Sequence, residues 1–315
     1  MRILITGGFG FIGGRLGQHL INSGHEIILG TRNKTNAPAW LPGAETVQTK
    51  WDSDLSLQNA CNSIDAIIHT AGKNSQDCMA DPVAALTFNG EATARLVNAA
   101  AAKKVNRFIY FSTAHVYANP LSGIINENTS PQNLHPYALS HRAGELAVLA
   151  GNTIANSVVV RLSNSFGKPV QKEVNCWQLL VNDLCKQAVE TGRLVLHSSG
   201  LQQRDFITLT DVCVLTARLI SFDDTKKMPG IVNAGSSNSC SVLDMAKRVQ
   251  ERCNDVIGFT PTLHYKEAAP GEKHPVLEYQ ARAYKDIQFV PGNDYNKEID
   301  NLLLFCQANF GGEKK

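Results

Sequence analysis

Three glycines near the start of the chain have the spacing of a phosphate-binding turn. Gly7, Gly10 and Gly13 stand three residues apart, between an apolar run at 2–6 and a helical pattern that begins at Phe11. In such a unit the first glycine permits a tight turn, the second admits a pyrophosphate, and the third lets helix and strand pack closely. The N–H groups at the helix N-terminus bind the phosphates. This predicts a dinucleotide site comprising Gly7, Gly10, Phe11, Ile12 and Gly13.

The end of the second predicted strand bears on which dinucleotide binds. NAD sites usually carry Asp or Glu there, for the ribose hydroxyls. This chain instead reads Thr31-Arg32-Asn33-Lys34, and an arginine can hold a 2′-phosphate by bidentate hydrogen bonds. We therefore expect NADP(H) to be favoured, with NAD(H) as the alternative. Asp52 is a candidate acceptor for the adenine amino group, or part of a plain polar loop.

Short apolar runs alternate with helical patterns through the first half of the chain, which predicts parallel strands joined by helices. The predicted strands are residues 2–6, 25–31, 46–49, 65–69, 107–112 and 158–162. Clear helices are predicted near 11–22 and at 82–103, where Pro82 suits the first turn.

After Asn164 the turn signals crowd together and the strand patterns become short and scattered. We therefore predict an α/β fold, with a Rossmann-type doubly wound parallel sheet and a smaller, mixed α/β substrate lobe. The dinucleotide-binding domain would comprise 1–163 and about 205–237. The substrate-binding lobe would comprise 164–204 and 238–315, ending in a frayed tail at 311–315.

Composition excludes several classes of partner. The 315 residues include 30 Lys and Arg against 28 Asp and Glu, without a long basic run. This argues against nucleic acid or a membrane surface as a partner. The eight cysteines form no C-x-x-C pair, and no stretch approaches the ~18 apolar residues of a membrane span. We expect a soluble cytoplasmic protein with reduced thiols and without a metal site.

Motifs along nearly the whole chain match one family. They are TGGFGFIG at 6–13, IIHTAG at 67–72, Asn89-Gly90, FSTAHVY at 111–117, Tyr137 with its following helix, RLSNSFG at 161–167 and QQRDFITLTDV at 202–212. With these motifs the chain resembles the extended short-chain dehydrogenase/reductases, which include nucleotide-sugar epimerases, dehydratases and reductases.

The resemblance implies roles for individual residues. Tyr137 would exchange a proton with the substrate hydroxyl while hydride moves at the nicotinamide, and Thr113 would hydrogen-bond the same oxygen. Asn164 would touch the sugar nucleotide. Arg204 would contact the diphosphate, unless it pairs with a neighbouring Asp. The cofactor positions implied by the same likeness are His69, Ala71, Gly72, Asn89, Tyr137 and His141.

One position departs from the family pattern Tyr-x-x-x-Lys. The chain reads Tyr137-Ala-Leu-Ser-His141, and the i, i+4 spacing keeps both side chains on one helix face. A histidine is mostly neutral at pH 7, so the tyrosine loses much of its electrostatic activation. Either the enzyme works with a less acidic tyrosine or its catalysis has decayed.

The positions after Thr113 bear on the reaction. Dehydratase relatives carry Asp and Glu there, whereas this chain has Ala114 and His115, which argues against dehydration. His115 could be a further acid/base, as in epimerising reductases, or could only shape the pocket. We predict an epimerase or a 4-keto reductase acting on a nucleotide-linked sugar.

The absence of one family arginine keeps alternatives open. A second family arginine is missing near 269–272, where Lys266, Lys273 or Arg282 could substitute. A small-carbonyl reductase, or a cofactor-binding protein with little catalysis, therefore stays open.

The small-residue faces of the helix at 82–103 and of the helix after Tyr137 suit a homodimer through a four-helix bundle, although such faces also pack within one chain.

Overall fold

The centre of the molecule is a parallel sheet. A computed structural model describes residues 1–150, 154 and 156–311. The sheet lies in the order β7-β6-β5-β4-β1-β2-β3, where the strands are β1 (Arg2–Thr6), β2 (Glu26–Thr31), β3 (Glu45–Gln48), β4 (Ala66–His69), β5 (Arg107–Thr113), β6 (Asn156–Leu162) and β7 (Ile231–Ala234). The order reverses beside β1, so the carboxyl ends of β1 and β4 form the crevice in which such sheets bind ligands. The predicted Rossmann-type fold is confirmed.

Helices accompany the strands. In the described ranges they are α1 (Phe11–Asn22), α2 (Asp54–Ala60), α3 (Ser75–Ala80), α4 (Pro82–Ala85), α5 (Ala92–Ala102), α6 (Pro136–Ala150), α7 (Leu180–Thr191), α8 (Leu209–Ile220), α9 (Val242–Ile257) and α10 (Tyr295–Phe310). Single 3₁₀ turns lie at Ala114–Val116 and Arg282–Tyr284. Within the described ranges, none of these helices is long and apolar enough to cross a membrane.

Short strand pairs build the rest of the molecule. Three are parallel, pairing Gly123–Ile125 with Leu277–Tyr279, Asn164–Phe166 with Phe206–Thr208, and Arg193–Val195 with Thr262–His264. The fourth is antiparallel, pairing Gln203–Arg204 with Cys240–Ser241. Apart from Gly123–Ile125, these strands agree with the short, scattered strands expected after Asn164.

All six predicted strands are present, with ends that shift by at most two residues. The sequence analysis missed β7, because Ile231–Ala234 has only four residues and follows a run of turn signals. Most of the predicted tail, residues 312–315, lies outside the described residues.

The long helix predicted at 82–103 is not a single α-helix. A π-helical turn at Leu86–Glu91 separates α4 from α5. At this turn the chain passes very close to α6. A Cβ on Gly144 would stand 2.6 Å from the carbonyl oxygen of Asn89, and a Cβ on Gly90 would stand 3.0 Å from the Cβ of Ala143. The π-helical turn buries Asn89 against α6. The apolar periodicity of residues 82–103 does not reveal this turn.

A second hydrophobic cluster, separate from the core around the sheet, forms where α7, α9 and α10 meet. Leu184, Val249 and Leu302 are completely buried in it. This cluster lies in the part of the chain predicted to form the substrate lobe, and the boundaries of the two lobes stay a prediction.

A buried ion pair joins the first helix to the last. Arg15 Nη1 on α1 lies 3.2 Å from Glu298 Oε1 on α10, and Glu298 is only 3% exposed. Arg15 also donates to the Lys168 carbonyl oxygen at 2.7 Å, and Thr210 donates to the other Glu298 oxygen. The start of the glycine-turn helix is thus held by the C-terminal helix.

Candidate active site

The glycine turn has the close contacts expected of a phosphate cradle. Gly7 adopts φ +69°, which favours glycine. A Cβ on Gly13 would collide with the Gly7 carbonyl oxygen, so α1 can approach β1 this closely only with glycine there. α1 begins after Gly10 without a side-chain cap. Its first N–H groups are therefore available to an anion.

Two neighbouring cavities, of about 510 and 410 Å³, run along this turn. The predicted cofactor residues that line at least one of them are Gly7, Gly10, Phe11, Ile12, Gly13, Thr31, Arg32, Ala71 and Gly72. Asp52 is exposed and lines neither cavity. Because Thr31 and Arg32 line the same cavity as Gly7 and Gly10, the end of β2 faces the same space as the glycine turn.

His69 is buried behind the cavities. Its Nδ1 lies 2.6 Å from Thr6 Oγ1 and its Nε2 lies 2.9 Å from Thr93 Oγ1, so both ring nitrogens are occupied. Burial lowers the pKa of His69 to about 3, and the ring is neutral at pH 7. The side chain of His69 thus packs between β1 and α5, and its role toward a cofactor stays a prediction.

Asn89 is also buried, and it supports the cavity wall from behind. Its Oδ1 accepts a hydrogen bond from the Lys73 backbone N–H at 2.8 Å, and its Nδ2 donates to Ser140 Oγ at 3.0 Å. Asn89 therefore fixes the loop after β4 against α6. This places Asn89 directly behind Gly72, and its role toward a cofactor stays a prediction.

A third cavity, of about 420 Å³, adjoins the first two at Thr70 and Gly72. It contains the residues predicted for catalysis and substrate binding, namely Thr113, His115, Tyr137, His141, Asn164 and Arg204. These residues come from four segments far apart in the sequence. None of the described residues that line this cavity is Asp or Glu.

Tyr137 and Thr113 are positioned by neighbouring elements. Thr113 ends β5, and its Oγ1 accepts a hydrogen bond from the His115 backbone N–H at 3.1 Å, so the hydroxyl proton of Thr113 is free for another acceptor. Tyr137 lies in the first turn of α6. Burial raises the pKa of Tyr137, and the neighbouring Thr113 side chain partly opposes this effect.

The ring of His141 stands edge-on to the ring of Tyr137, with centroids 4.6 Å apart. The i, i+4 pair therefore shares one helix face, as the spacing predicts. Burial lowers the pKa of His141 to about 4, although Glu145 acts in the opposite direction. At pH 7 the position of the family's lysine thus carries a neutral ring.

A buried charge cluster holds α6 against the sheet beside this pair. Glu145 accepts hydrogen bonds from Arg161 Nε at 2.9 Å and Nη2 at 2.7 Å, and from Ser112 Oγ at 2.7 Å. Burial alone raises the pKa of Glu145, but the hydrogen bonds and charge of Arg161, together with the bonds from Ser112 and Arg142, lower the pKa overall. This anchor connects α6 to β5 and β6 one turn beyond His141.

Arg204 lines the third cavity together with Thr113 and Tyr137. The neighbouring acids are engaged elsewhere. Asp205 accepts from Ser236, and Asp211 accepts from Thr208 and from the Gly292 backbone. Burial lowers the pKa of Arg204 without a carboxylate opposing it. The alternative that Arg204 pairs with a nearby Asp is therefore not what the structure has.

His115 and Asn164 stand beside this arginine. All three line a smaller side cavity of about 150 Å³ as well. Burial lowers the pKa of His115, and Arg204 adds to that effect, so His115 is neutral at pH 7. Asn164 donates its amide hydrogen to the Asp205 carbonyl oxygen at 2.8 Å, which leaves its side-chain oxygen available as an acceptor.

Several lining residues were missed by the sequence analysis, among them Lys73, Trp51 and Phe88. Lys73 lines both the third cavity and the cofactor cavity, and the rings of Trp51 and Phe88 line the cofactor cavity. Lys73 and Trp51 follow β4 and β3 within a few residues. Their position after the carboxyl ends of these strands could have identified them as lining residues. Phe88 lies in the π-helical turn, which the sequence does not reveal. The proposed substitutes for the missing arginine (Lys266, Lys273 and Arg282) line none of the cavities described above.

The glycine turn, the Rossmann-type sheet and the shared Thr/Tyr cavity define an extended short-chain dehydrogenase/reductase. The chain belongs to the NAD dependent epimerase/dehydratase family, whose model matches residues 3–235. This match confirms the resemblance found in the sequence. Members of this family are enzymes.

Relatives are similar over nearly the whole chain. Human dTDP-D-glucose 4,6-dehydratase is 28% identical over 336 residues, which covers 96% of this chain and 93% of the relative. The uncharacterized UDP-glucose epimerase YtcB of Bacillus subtilis is 25% identical over 332 residues, covering 99% and 100%.

Solved structures share the fold. UDP-glucose 4-epimerase from Bifidobacterium longum, in complex with NAD+ and UDP, superposes with a TM-score of 0.80 at 22% identity, covering 99% of this chain and 100% of that one. UDP-N-acetylglucosamine 4-epimerase from Methanobrevibacter ruminantium M1 also gives 0.80, at 20% identity and 98% coverage of each chain.

Proposed function

We propose that the protein epimerises a nucleotide-linked sugar at C4, by hydride transfer at a nicotinamide with Tyr137 as the acid/base. The observation that carries this proposal is one cavity that combines Thr113 and Tyr137 with an arginine free of carboxylate partners. An unpaired, half-buried guanidinium is suited to a diphosphate. The hydroxyl pair is suited to a carbonyl that becomes an alcohol.

Within this cavity the residues divide the work. Tyr137 in its phenolate form takes the proton from the sugar hydroxyl as the carbonyl forms, and the resulting phenol returns that proton when the alcohol is restored. Thr113 donates its free hydroxyl proton to the same oxygen. Arg204 holds the diphosphate, while the Asn164 side-chain oxygen accepts from a sugar or ribose hydroxyl. His115 is either a second acid/base or a wall of the pocket.

The residues present fit a dinucleotide. The glycine contacts at Gly7 and Gly13 leave space that a Cβ would fill, and the uncapped start of α1 suits a pyrophosphate. When bound, the nicotinamide supplies a hydride acceptor and donor. His141 would hold the nicotinamide ribose, and Arg32 with Thr31 would hold the adenosine end. The absence of an acid at the end of β2 favours NADP(H) over NAD(H).

Dehydration finds little support despite the dehydratase relatives. Dehydratase relatives carry an Asp and a Glu after the catalytic Thr for the elimination of water, whereas Ala114 and His115 occupy those positions here and the described lining lacks carboxylates. A second candidate is 4-keto reduction, which Arg32 favours because reductases commonly draw on NADPH.

The proposal is tested by incubating the purified protein with UDP- and dTDP-hexoses and following the C4 epimer by NMR. NADPH oxidation with 4-keto-sugar nucleotides runs in parallel. Tyr137→Phe should lower turnover at least about a hundredfold, and the exposed Tyr265→Phe is the matched control. Turnover of small aldehydes alone would indicate a small-carbonyl reductase. Copurified cofactor without turnover on any substrate would indicate a binding protein.

We also propose a homodimer through α5 and α6 and their preceding turns. Val83, Leu86, Leu139 and Leu146 on these segments are 42–75% exposed, and burial of such faces drives helix-bundle association. The division into a cofactor domain (1–163 with about 205–237) and a substrate lobe belongs to the same proposal.

A further inference from the structure

The hydroxyl of Tyr110 lies on the buried side of His141. Tyr110 Oη is 3.1 Å from His141 Nδ1 and 3.4 Å from the His141 carbonyl oxygen. Gly144 makes room for it, because a Cβ there would collide with the Tyr110 hydroxyl. Burial, and then Glu145, raises the pKa of Tyr110 well above its usual range. The phenol is therefore neutral and carries one proton to donate.

The other ring nitrogen of His141 faces the cavity wall. A Cβ on Gly72, which lines all three cavities along the site, would stand 3.8 Å from His141 Nε2. His141 itself lines the cavity that contains Tyr137. One ring nitrogen thus meets a buried hydroxyl, and the other is directed toward the ligand space.

The hydrogen bonds around Thr93 do not depend on a proton from Tyr110. Thr93 donates its single hydroxyl proton to the Asn89 carbonyl oxygen at 2.8 Å. It must therefore accept from His69 Nε2, which lies 2.9 Å away. Of the two acceptors that His141 offers to the Tyr110 hydroxyl, Nδ1 at 3.1 Å is nearer than the carbonyl oxygen at 3.4 Å.

We propose that Tyr110 is a positioning residue: by donating to His141 Nδ1, it holds the neutral imidazole as the tautomer whose Nε2–H points into the cavity. His141 then presents one directed donor to a ribose hydroxyl, where the family's lysine would present a charged group. Without Tyr110, the proton would distribute between the two nitrogens, and part of the population would present a bare lone pair. The proposal rests on the proposed role of His141 toward the nicotinamide ribose.

The first test reads the tautomer directly. ¹⁵N-histidine NMR of the full-length protein distinguishes protonated from bare ring nitrogens, and the His141 signals are those lost in His141→Gln. We expect a protonated Nε2 and a bare Nδ1 at pH 7, and averaged values for both nitrogens in Tyr110→Phe. A protonated Nδ1 in the wild type, or an unchanged pattern in Tyr110→Phe, would overturn the proposal. This readout needs no turnover, so it separates failure of the inference from failure of the proposed function.

The second test uses two backgrounds. Tyr110→Phe should lower kcat about fivefold in the wild type, the scale of one hydrogen bond, with little change in KM. In the His141→Lys background it should leave kcat unchanged, because lysine has no tautomer to select. Tyr117→Phe, which removes a buried hydroxyl bonded to Asn233, controls for packing. An equal loss from Tyr110→Phe in both backgrounds would mean that Tyr110 acts only through packing.

Discussion

The rings of Tyr137 and His141 meet edge-on, at 4.6 Å and an interplanar angle of 73°, where the family pattern places a tyrosine beside a lysine. Burial keeps this histidine neutral at pH 7 and raises the pKa of the tyrosine. The phenol therefore lacks the neighbouring positive charge that would favour its ionised form. Our first prediction follows from this contact.

Replacing His141 by lysine should restore that charge. His141→Lys is expected to raise turnover and to move the rise of activity with pH downward by about one to two units, because a cation within a few ångströms lowers a phenol pKa by that order. The measurement is kcat against pH for both proteins. His141→Gln, which keeps a donor but adds no charge, should leave the rise where it is. Unchanged kinetics in His141→Lys would show that residue 141 does not take the lysine's place.

Arg204 should contribute to binding far more than to chemistry. Arg204→Gln is expected to raise the KM for a nucleotide sugar about 10- to 100-fold with a small change in kcat, the scale of a charge-assisted hydrogen bond. Calorimetric titration with UDP and with dTDP gives the same comparison without turnover. Arg193→Gln, an exposed arginine outside the cavities, is the control. Equal nucleotide affinity in wild type and Arg204→Gln would remove the diphosphate assignment.

Arg32 should decide between the two dinucleotides. We expect NADP(H) to bind more tightly than NAD(H), and Arg32→Ala to weaken NADP(H) about tenfold or more while sparing NAD(H), since only the former has a 2′-phosphate to pair. Dissociation constants from fluorescence titration report the ratio. Tighter binding of NAD(H) by the wild type would reverse the predicted preference.

The two buried histidines should make stability fall on acidification. In the folded protein the pKa is about 3 for His69 and about 4 for His141, against ~6.5 when unfolded. Below pH 6.5 the unfolded chain therefore binds more protons, and the free energy of unfolding decreases as pH falls from 6.5 toward 4.

Each histidine contributes about 2 kcal/mol of this loss by pH 5. Urea unfolding at pH 7, 6 and 5 measures the slope. His69→Asn should remove the part of the slope that His69 contributes, whereas substitution of the exposed His264 should change it little. A pH-independent free energy of unfolding over this interval would contradict the burial of both rings in neutral form.

Local patterns predicted the sheet and the glycine turn because each depends on residues adjacent in the chain. The strand at 2–6, the glycines after it and helix α1 were placed correctly from periodicity and turn chemistry. The same holds for the Tyr137–His141 face, which is set by helix geometry alone. The convergence of Thr113, Tyr137 and Arg204 on one cavity was anticipated through family likeness and not through spacing.

The features that could not be predicted from the sequence depend on contacts between distant segments of the chain. The engagement of His69 with Thr6 and Thr93 follows from how β1, β4 and α5 assemble, and nothing in the motif at 67–72 distinguishes it from a cofactor contact. The π-helical turn that buries Asn89 lies where α6 packs closely against residues 89 and 90. The helical pattern of residues 82–103 alone therefore predicts one straight helix. The missed strand β7 is stabilised by pairing with β6 rather than by its own four residues.

The ion pair between Arg15 and Glu298 spans 283 positions of the chain. Arg15 is therefore translated long before its carboxylate partner, and its guanidinium stays without that partner until helix α10 has been made. Since α1 begins in the glycine turn, a substitution of Glu298 on α10 will loosen the helix whose first N–H groups are available to an anion.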